Sequence, residues 1–285
     1  MNTPGNKFRE AIEDNNPLMV VGAVNAYCAK MAEKAGHKAL YLSGAGVANA
    51  SFGLPDLAIT TLNDVAEDSR RITQATNLPL LIDIDTGFGG AFSISRTIKE
   101  MIAADVAAVH IEDQVTQKRC GHRPNKSLVD KTEMTDRISA AVDGRTDDSF
   151  FIMARTDSYA SEGMQGAIDR CNEYISAGAD GLFLEAVSSL EDYKQLKDAL
   201  QVPLLANITE FGKTPLFSAQ ELASVGVDIM LFPLSAFRAM NKAAESVYKD
   251  IAENGTQKNS VEKMQTRDEL YEYLNYHSFE QKLDE

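Results

Sequence analysis

Eight short apolar segments, separated by longer amphipathic ones, constrain most strongly what this chain can fold into. They are nearly continuous in Val, Ile, Leu and Ala, which is typical of parallel strands covered on both faces. The segments between them have helical spacing, as in Ile94, Ile98 and Ile102. Eight strand-then-helix repeats predict an α/β fold, a (β/α)8 TIM-type barrel. The predicted strands are Met19–Ala26, Ala39–Ser43, Leu78–Asp85, Val106–Asp113, Phe150–Asp157, Gly181–Glu185, Val202–Glu210 and Val227–Pro233.

The length of 285 residues fits one such barrel, because barrels commonly run to about 250 residues as a single domain. We predict one domain over 1–285, with an N-terminal segment (1–18) and a C-terminal helical extension (256–285). Asn254–Ser260 is a predicted polar linker, and Thr266–Leu283 resumes helical spacing with several aromatic residues. A helix of that kind beyond a completed barrel requires a partner surface, and another subunit could supply it.

A doubly wound sheet is the alternative architecture, and it usually carries a phosphate-binding glycine loop after its first strand. The nearest candidate here is Gly44-Ala45-Gly46, which lacks the third glycine and is predicted to lead into a polar loop. No Walker lysine motif is present. The regular strand count therefore favours the barrel.

Charge and composition exclude several classes of partner. Lys and Arg number 28 against 42 Asp and Glu, a net charge of −14, and this disfavours binding to nucleic acid or anionic lipid. No apolar run is long enough to span a membrane, the N-terminus lacks a signal-peptide core, and three cysteines are too few and odd for a disulfide framework. We therefore expect a cytoplasmic protein that concentrates cations or a metal locally around any anionic substrate.

The predicted strand ends are rich in carboxylates, and in a barrel these ends carry the catalytic groups. Asp83 and Asp85 follow one apolar run and lie on the same face of the strand, because side chains alternate with period two. Glu112 and Glu185 could add oxygen atoms from neighbouring strands. Such hard ligands indicate Mg²⁺ or Mn²⁺, whereas the single pair Cys120 and His122 is not a zinc pattern.

Structural roles are the alternative interpretation of these polar residues. Ser43, Asp157 and Thr209 could be helix N-caps. The two aspartates could simply pair with nearby Arg and Lys side chains. Capping, however, does not explain why Asp83 and Asp85 occur together at one strand end.

The segment Lys118–Arg123 is the densest chemical feature of this acidic chain. Three cations and His122 surround Cys120 within six residues. Neighbouring positive charge lowers a thiol pKa, so Cys120 is suited to exchange a proton or to act as a nucleophile. The alternative is a solvated basic patch. The residues alone do not distinguish a nucleophile from a general acid.

These residues resemble the isocitrate lyase and phosphoenolpyruvate mutase superfamily. The resemblance rests on Lys-Arg-Cys-Gly-His at 118–122 and on His110–Gln114 before it, and it extends from Tyr41 to Leu283. Further segments are similar to the methylisocitrate-cleaving branch in particular: Lys118–Lys126, Asn207–Gly212, Pro233–Arg238 and Gln265–Arg267. Ser43-Gly44-Ala45-Gly46 departs from the pattern, since that branch often has three consecutive glycines.

The resemblance implies Mg²⁺-dependent cleavage of a tricarboxylate, 2-methylisocitrate, to pyruvate and succinate in propionate catabolism. It implies a homotetramer whose C-terminal helices exchange between subunits. It also implies that Cys120 is the general acid, tuned by Lys118 and His122, with Tyr41 and Asp56 as candidate bases. Asp83 and Asp85 would hold the metal, with Glu112 as a weaker ligand acting through water. The implied substrate-binding residues are Ser43, Gly44, Ala45, Gly121, Arg155, Glu185, Asn207, Ile208, Thr209, Arg238 and Arg267.

Three other functions remain to be weighed. Another superfamily activity is the nearest, such as an isocitrate lyase, an oxaloacetate decarboxylase or a phosphonate-forming mutase. The cysteine segment argues against the last two, and isocitrate lyases are generally much longer. A Schiff-base aldolase needs a lysine on a strand, and none of the predicted strands contains one. A non-catalytic scaffold would have little use for this set of polar strand ends.

Overall fold

A computed structural model describes residues 2–285, and it confirms the predicted barrel. Eight parallel strands close in sequence order, with β1 paired to both β2 and β8. The strands are β1 (Leu18–Gly22), β2 (Ala39–Leu42), β3 (Leu80–Asp83), β4 (Ala108–Glu112), β5 (Phe151–Thr156), β6 (Gly181–Leu184), β7 (Leu204–Asn207) and β8 (Ile229–Phe232). Each lies within or beside its predicted segment. Asp83, Glu112, Arg155 and Asn207 lie at or beside the last positions of their strands, whereas Asp85, Asp157, Glu185 and Thr209 fall in the loops that follow.

Helices precede β1, connect successive strands and follow β8. They are α1 (Pro4–Asp14), α2 (Ala26–Lys34), α3 (Gly44–Gly46), α4 (Leu62–Thr73), α5 (Ala91–Ala103), α6 (Lys131–Gly144), α7 (Tyr159–Ser176), α8 (Leu190–Ala199), α9 (Ala219–Ser224), α10 (Ser235–Asn254), α11 (Arg267–Leu274) and α12 (Tyr276–Gln281). On α5 the buried residues include Ile94, Ile98 and Met101, as the helical spacing predicts. Among residues 2–285, no helix is both long and apolar enough to cross a membrane.

The amino-terminal helix α1 closes the end of the barrel at which the strands begin. Phe8 is fully buried in the apolar cluster inside the barrel, and its ring meets that of Phe151 edge-to-face at 5.4 Å. Arg9 pairs with Asp180, immediately before β6, at 2.9 Å. Because this end is covered, the cavity of the barrel lies at the other end, where the strands finish.

The helix after β8 contacts β1 but covers the outer wall of the barrel only in part. None of the residues of α10 is buried, whereas strands of a barrel are normally covered on both faces. Met19 on the outer face of β1 is consequently 44% exposed. Met19 and Phe232 line two adjoining apolar grooves in this uncovered wall.

Three local predictions are wrong. Gly44–Gly46 begins a helical segment, α3 followed by a π-helical turn at Val47–Ser51, where a polar loop was predicted. Part of the predicted linker after Asn254 forms a 3₁₀ helix, Lys258–Lys263. The single C-terminal helix is two helices, because Asn275 adopts a left-handed conformation (φ 52°) between α11 and α12.

Candidate active site

The candidate active site is a cavity of about 230 Å³ at the carboxyl ends of the strands. Strand register aligns its polar residues, because Asp83 is level with His110 and Glu112 is level with Arg155. The cavity therefore has a floor of charged side chains on adjacent strands. The predicted site residues that line it are Tyr41, Ser43, Ala45, Asp56, Asp83, Lys118, Cys120, Gly121, His122, Arg155, Glu185, Asn207, Thr209 and Arg238.

Asp83 and Asp85 form one wall of the cavity region, and both are buried. Asp83 accepts hydrogen bonds from the N–H groups of Asp85 and Gly44, at 3.0 and 3.2 Å. Burial alone would raise the pKa of the Asp83 carboxyl, but its interaction with the His110 ring and the positive charges of Lys118 and Arg155 lower it to about 2. Burial and the charge of Asp83 raise the pKa of Asp85 to about 7. Asp83 is therefore negatively charged at neutral pH, whereas the charge of Asp85 depends on the neighbouring cation.

Lys118 is the cation that faces this pair. Its ammonium lies 2.8 Å from Asp85 Oδ1 and also pairs with Asp56, and its side chain is only 4% exposed. Burial alone would lower the pKa of Lys118, but the surrounding carboxylates raise it far above its usual value. Lys118 therefore stays charged and connects a predicted metal ligand to a candidate base. The prediction that it tunes the Cys120 thiol stays a prediction.

The donor set fits a hard divalent cation. Asp85 Oδ1, despite its ion pair with Lys118, and Glu112 Oε1 are buried oxygens without a hydrogen bond of acceptable geometry. Over residues 2–285, no three His, Cys, Asp or Glu side chains come together as a metal cluster. Such a cation would therefore take its other ligands from water and substrate, as Mg²⁺ usually does. Direct ligation by Glu112, whose Oε2 is 3.2 Å from Arg155 Nε, stays a prediction.

Cys120 lies on the long loop between β4 and α6, and its side chain is exposed on the cavity. The Lys118–Arg123 segment, hereafter the cysteine loop, sits directly on the strand ends. A β-carbon at Gly121 would lie 2.4 Å from both Arg155 Nη2 and Glu185 Oε2, so only glycine fits there. His122 contacts the loop after β7, because its Nδ1 accepts a hydrogen bond from the N–H of Lys213 at 3.2 Å. Its Nε2 lies 3.2 Å from Glu185 Oε1.

Arg155 is buried among three carboxylates. Its guanidinium lies 3.2 Å from Glu112, 2.9 Å from Asp157 and 3.1 Å from Glu185. Asp157 is thus an ion-pair partner, and its alternative interpretation as a helix N-cap is wrong because the N-cap of α7 is Ser158. Asn207 donates to Glu185 at 3.3 Å and continues the polar floor. An anionic substrate would share Arg155 with these carboxylates.

Three predicted binding residues do not line the cavity. Gly44 is beside it and donates its N–H to Asp83, whereas Ile208 and Arg267 lie farther away. Ile208 faces the outer groove because it alternates with Asn207 and Thr209, which face inward. Its side chain therefore cannot contact a substrate in the cavity. Arg267 is exposed on α11, which packs against α2 on the outside of the same barrel. A role for Arg267 at the cavity of a neighbouring subunit stays a prediction.

His110 is a residue of the site that was not predicted from the sequence. Its Nε2 is 2.8 Å from the Tyr41 hydroxyl, and the two rings stack. Burial lowers the pKa of His110 to about 4, so the ring is neutral at pH 7. Period-two alternation along His110-Ile111-Glu112 could have found it, because His110 shares the inward face with Glu112. Phe183 and Phe211 line the cavity, but no sequence pattern identifies them as site residues.

A closed (β/α)8 barrel with charged side chains gathered at its carboxyl end is the architecture of a barrel enzyme. The phosphoenolpyruvate phosphomutase family model matches residues 8–252. The 2-methylisocitrate lyase of Vibrio cholerae is 60% identical, over 99% of this chain and 94% of that protein. The Escherichia coli 2-methylisocitrate lyase is 58% identical, over 100% of this chain and 96% of that protein.

Solved structures agree with these sequence relatives. The crystal structure of 2,3-dimethylmalate lyase, a member of the phosphoenolpyruvate mutase/isocitrate lyase superfamily, matches with a TM-score of 0.91 and 34% identity, over 99% of this chain and 94% of that one. The chain belongs to that superfamily. Within it, the chain belongs with the 2-methylisocitrate lyases, and it is a carbon–carbon lyase.

Proposed function

We propose that this lyase cleaves the C2–C3 bond of 2-methylisocitrate to give pyruvate and succinate. The observation that carries the proposal is that a thiol and two carboxylates converge on one cavity, supplied by Cys120, Asp56 and Asp83. Asp85 adds a buried carboxylate beside them, because it pairs with Lys118, which lines the same cavity. The relatives at 58–60% identity bear the corresponding name. The reaction would serve propionate catabolism. Isocitrate lyase and oxaloacetate decarboxylase activities are the alternatives within the superfamily.

Asp56 is the better of the two candidate bases. Burial and the charge of Asp83 raise the pKa of Tyr41 well above its usual value, so its phenol stays protonated. The hydroxyl of Tyr41 is also held by His110. Asp56 lines the cavity and pairs with the Lys118 ammonium, so its carboxyl group is held beside the space for the substrate. Asp56 would therefore accept the proton of the C2 hydroxyl, while Tyr41 acts as a hydrogen-bond donor.

Cys120 would complete the reaction as the general acid. When the C2 hydroxyl loses its proton, its electrons form the carbonyl of pyruvate, and those of the C2–C3 bond pass to C3 of the succinate fragment. The Cys120 thiol donates its proton to that carbon, and the resulting thiolate regains a proton from solvent. The exposed position of Cys120 at the cavity allows both transfers.

Mg²⁺, or Mn²⁺ in its place, held by Asp83 and Asp85 with Glu112 acting through water, would stabilise negative charge on the substrate oxygens. The chain itself would orient the three carboxylates. Arg155 and Arg238 supply cations, with Arg267 from a neighbouring subunit in the homotetramer that we propose. Ser43, Gly44, Ala45, Gly121, Asn207 and Thr209 would supply hydrogen bonds around them.

The test is an assay of oxo-acid release by the purified protein, which detects pyruvate from 2-methylisocitrate and glyoxylate from isocitrate. Turnover with 2-methylisocitrate should far exceed turnover with isocitrate, and it should disappear in EDTA. Release of pyruvate from oxaloacetate but not from 2-methylisocitrate would replace the proposal with a decarboxylase. A preference for isocitrate would replace it with an isocitrate lyase.

A further inference from the structure

The cysteine loop is attached to the rest of the molecule at each side of Cys120. On the amino-terminal side, the Gln114 side chain donates to the Arg119 carbonyl at 2.8 Å and accepts the Arg119 N–H at 3.0 Å. On the other side, Lys126 is the attachment. Its ammonium donates to the Gly121 carbonyl and to Asp157 Oδ1, both at 2.6 Å. One side chain therefore joins the residue next to Cys120 to the barrel.

Asp157 is a fixed point for this attachment. Its Oδ2 accepts from Arg155 Nε at 2.9 Å, and its backbone N–H donates to Asp113 Oδ1 at 3.0 Å. Asp113 in turn accepts hydrogen bonds from the hydroxyls of Thr156 and Tyr174, at 2.6 and 2.9 Å. This carboxylate network is buried, so the position of Asp157 is set by the barrel and not by the loop.

Lys126 itself is almost enclosed, since its side chain is 8% exposed. A buried ammonium is unfavourable unless it is paired and hydrogen-bonded, and here one carboxylate and one carbonyl satisfy it. Gly121 is held from its other face by Arg155 and Glu185, against which no β-carbon would fit. The loop is thus clamped between the strand ends and Lys126.

We propose that Lys126 is a positioning residue, which fixes the Gly121 carbonyl to Asp157 and so holds the Cys120 thiol over the cavity. This inference rests on the proposed function, in which Cys120 delivers a proton to the substrate. Lys126 does not itself touch the cavity. Its loss should therefore release the loop and misplace the thiol, whereas the substrate-binding side chains on the strands, such as Arg155 and Asn207, stay in place.

The test is the variant Lys126→Met, which keeps most of the apolar stem and removes the donor. Hydrogen–deuterium exchange of the cysteine-loop amides should accelerate relative to the wild-type protein. Turnover should fall by about 10- to 100-fold in kcat, because a displacement of about 1 Å can cost that much. The change in KM should be smaller, because most of the substrate-binding residues lie outside the loop. Lys126→Arg, which can still donate to both oxygens, should recover most of the exchange protection and of kcat.

Lys197→Met is the matched control. Lys197 also bridges a carbonyl and a carboxylate, Val202 O at 3.3 Å and Asp228 Oδ2 at 2.7 Å, but both acceptors precede strands at the opposite end of the barrel. This variant should leave loop exchange and kcat unchanged. If both lysine variants lower the melting temperature equally and neither changes loop exchange, Lys126 is merely structural and the inference is overturned.

The exchange measurement also separates this inference from the proposed function. Faster loop exchange in Lys126→Met, together with full activity in both that variant and Cys120→Ser, would retain the clamp and reject the role of Cys120 as the acid. Unchanged loop exchange would reject the clamp, whatever the activity. If Lys126→Met does not fold, the same comparison is made with Lys126→Gln, which keeps a neutral donor.

Discussion

At the scale of single residues, the chemistry that we propose depends most on Cys120. A serine hydroxyl has nearly the same shape as the thiol but is a far weaker acid. Cys120→Ser should therefore fold normally and lose about 10²–10⁴-fold in turnover, and the loss should appear in kcat more than in KM. Steady-state kinetics with 2-methylisocitrate and saturating Mg²⁺ measure both.

Cys28→Ser is the control for that variant. Cys28 is buried in α2, away from the cavity, so the substitution should leave kcat unchanged. Alkylation of the wild-type protein should inactivate it, and pyruvate plus succinate should slow the inactivation. Near-normal turnover by Cys120→Ser would rule out the thiol acid and favour a reaction that needs only the metal.

The proposed metal is also tested residue by residue. Removing divalent cations with EDTA should abolish turnover, and added Mg²⁺ should restore it, because the Asp83–Asp85 oxygens are hard ligands. Asp83→Asn should raise the Mg²⁺ concentration needed for half-maximal activity. Asp180→Asn is the control, because Asp180 lies at the opposite end of the barrel and pairs with Arg9 and Arg145. This variant should not change the Mg²⁺ concentration needed for half-maximal activity. Full activity after exhaustive chelation would contradict the metal assignment.

At the scale of secondary-structure elements, α1 makes the clearest prediction. Phe8→Ala should destabilise the fold by about 3–5 kcal/mol, because removing a buried phenylalanine leaves a cavity inside the barrel. Phe92→Ala on α5 is the matched control, since Phe92 is 95% exposed, and it should change stability by less than about 0.5 kcal/mol. Urea unfolding curves measure both, and equal midpoints would contradict the proposed role of α1 as a cover.

The strands and the helices that pack on them could be predicted from sequence, because burial leaves a long, regular apolar pattern. The errors are at positions where one backbone conformation decides the element. Gly44 begins a helix whose turn widens to π-geometry, and Asn275 takes a left-handed conformation that ends α11. Neither backbone conformation changes the spacing of the apolar residues around it. The sequence pattern therefore gives little indication of either conformation.

The same contrast applies to the site. Asp83, Glu112 and Arg155 could be placed because they occur at strand ends, which a barrel brings together. The contact between Lys126 and Asp157 could not be predicted. The two residues are 31 positions apart in sequence, and their contact depends on how a long loop folds back. Ile208 was predicted as a ligand from a motif that mixes inward and outward positions.

At the scale of the whole molecule, the C-terminal helices connect activity to assembly. Truncation after Asn254 removes α11 and α12 and should abolish activity and change the oligomeric state together. Size-exclusion chromatography with light scattering, combined with the pyruvate assay, measures both. A truncated protein that remained active in an unchanged assembly would contradict helix exchange.

Arg267→Met in the full-length chain separates the two effects. It keeps the helices, so the assembly should remain intact. Loss of a charge-assisted hydrogen bond of about 1.5–3 kcal/mol to a substrate carboxylate should lower kcat/KM by about 10- to 100-fold. An unchanged kcat/KM would show that Arg267 does not contact substrate in any subunit.

The uncovered outer wall around Met19 and Phe232 has a thermodynamic consequence. A folded chain on its own leaves this apolar strip in water, whereas the unfolded chain has no such organised surface to cover. Any association that covers the strip therefore acts on the folded state alone, and mass action shifts the folding equilibrium toward it. The free energy of unfolding then includes a term in protein concentration, so the melting temperature rises as the solution is made more concentrated.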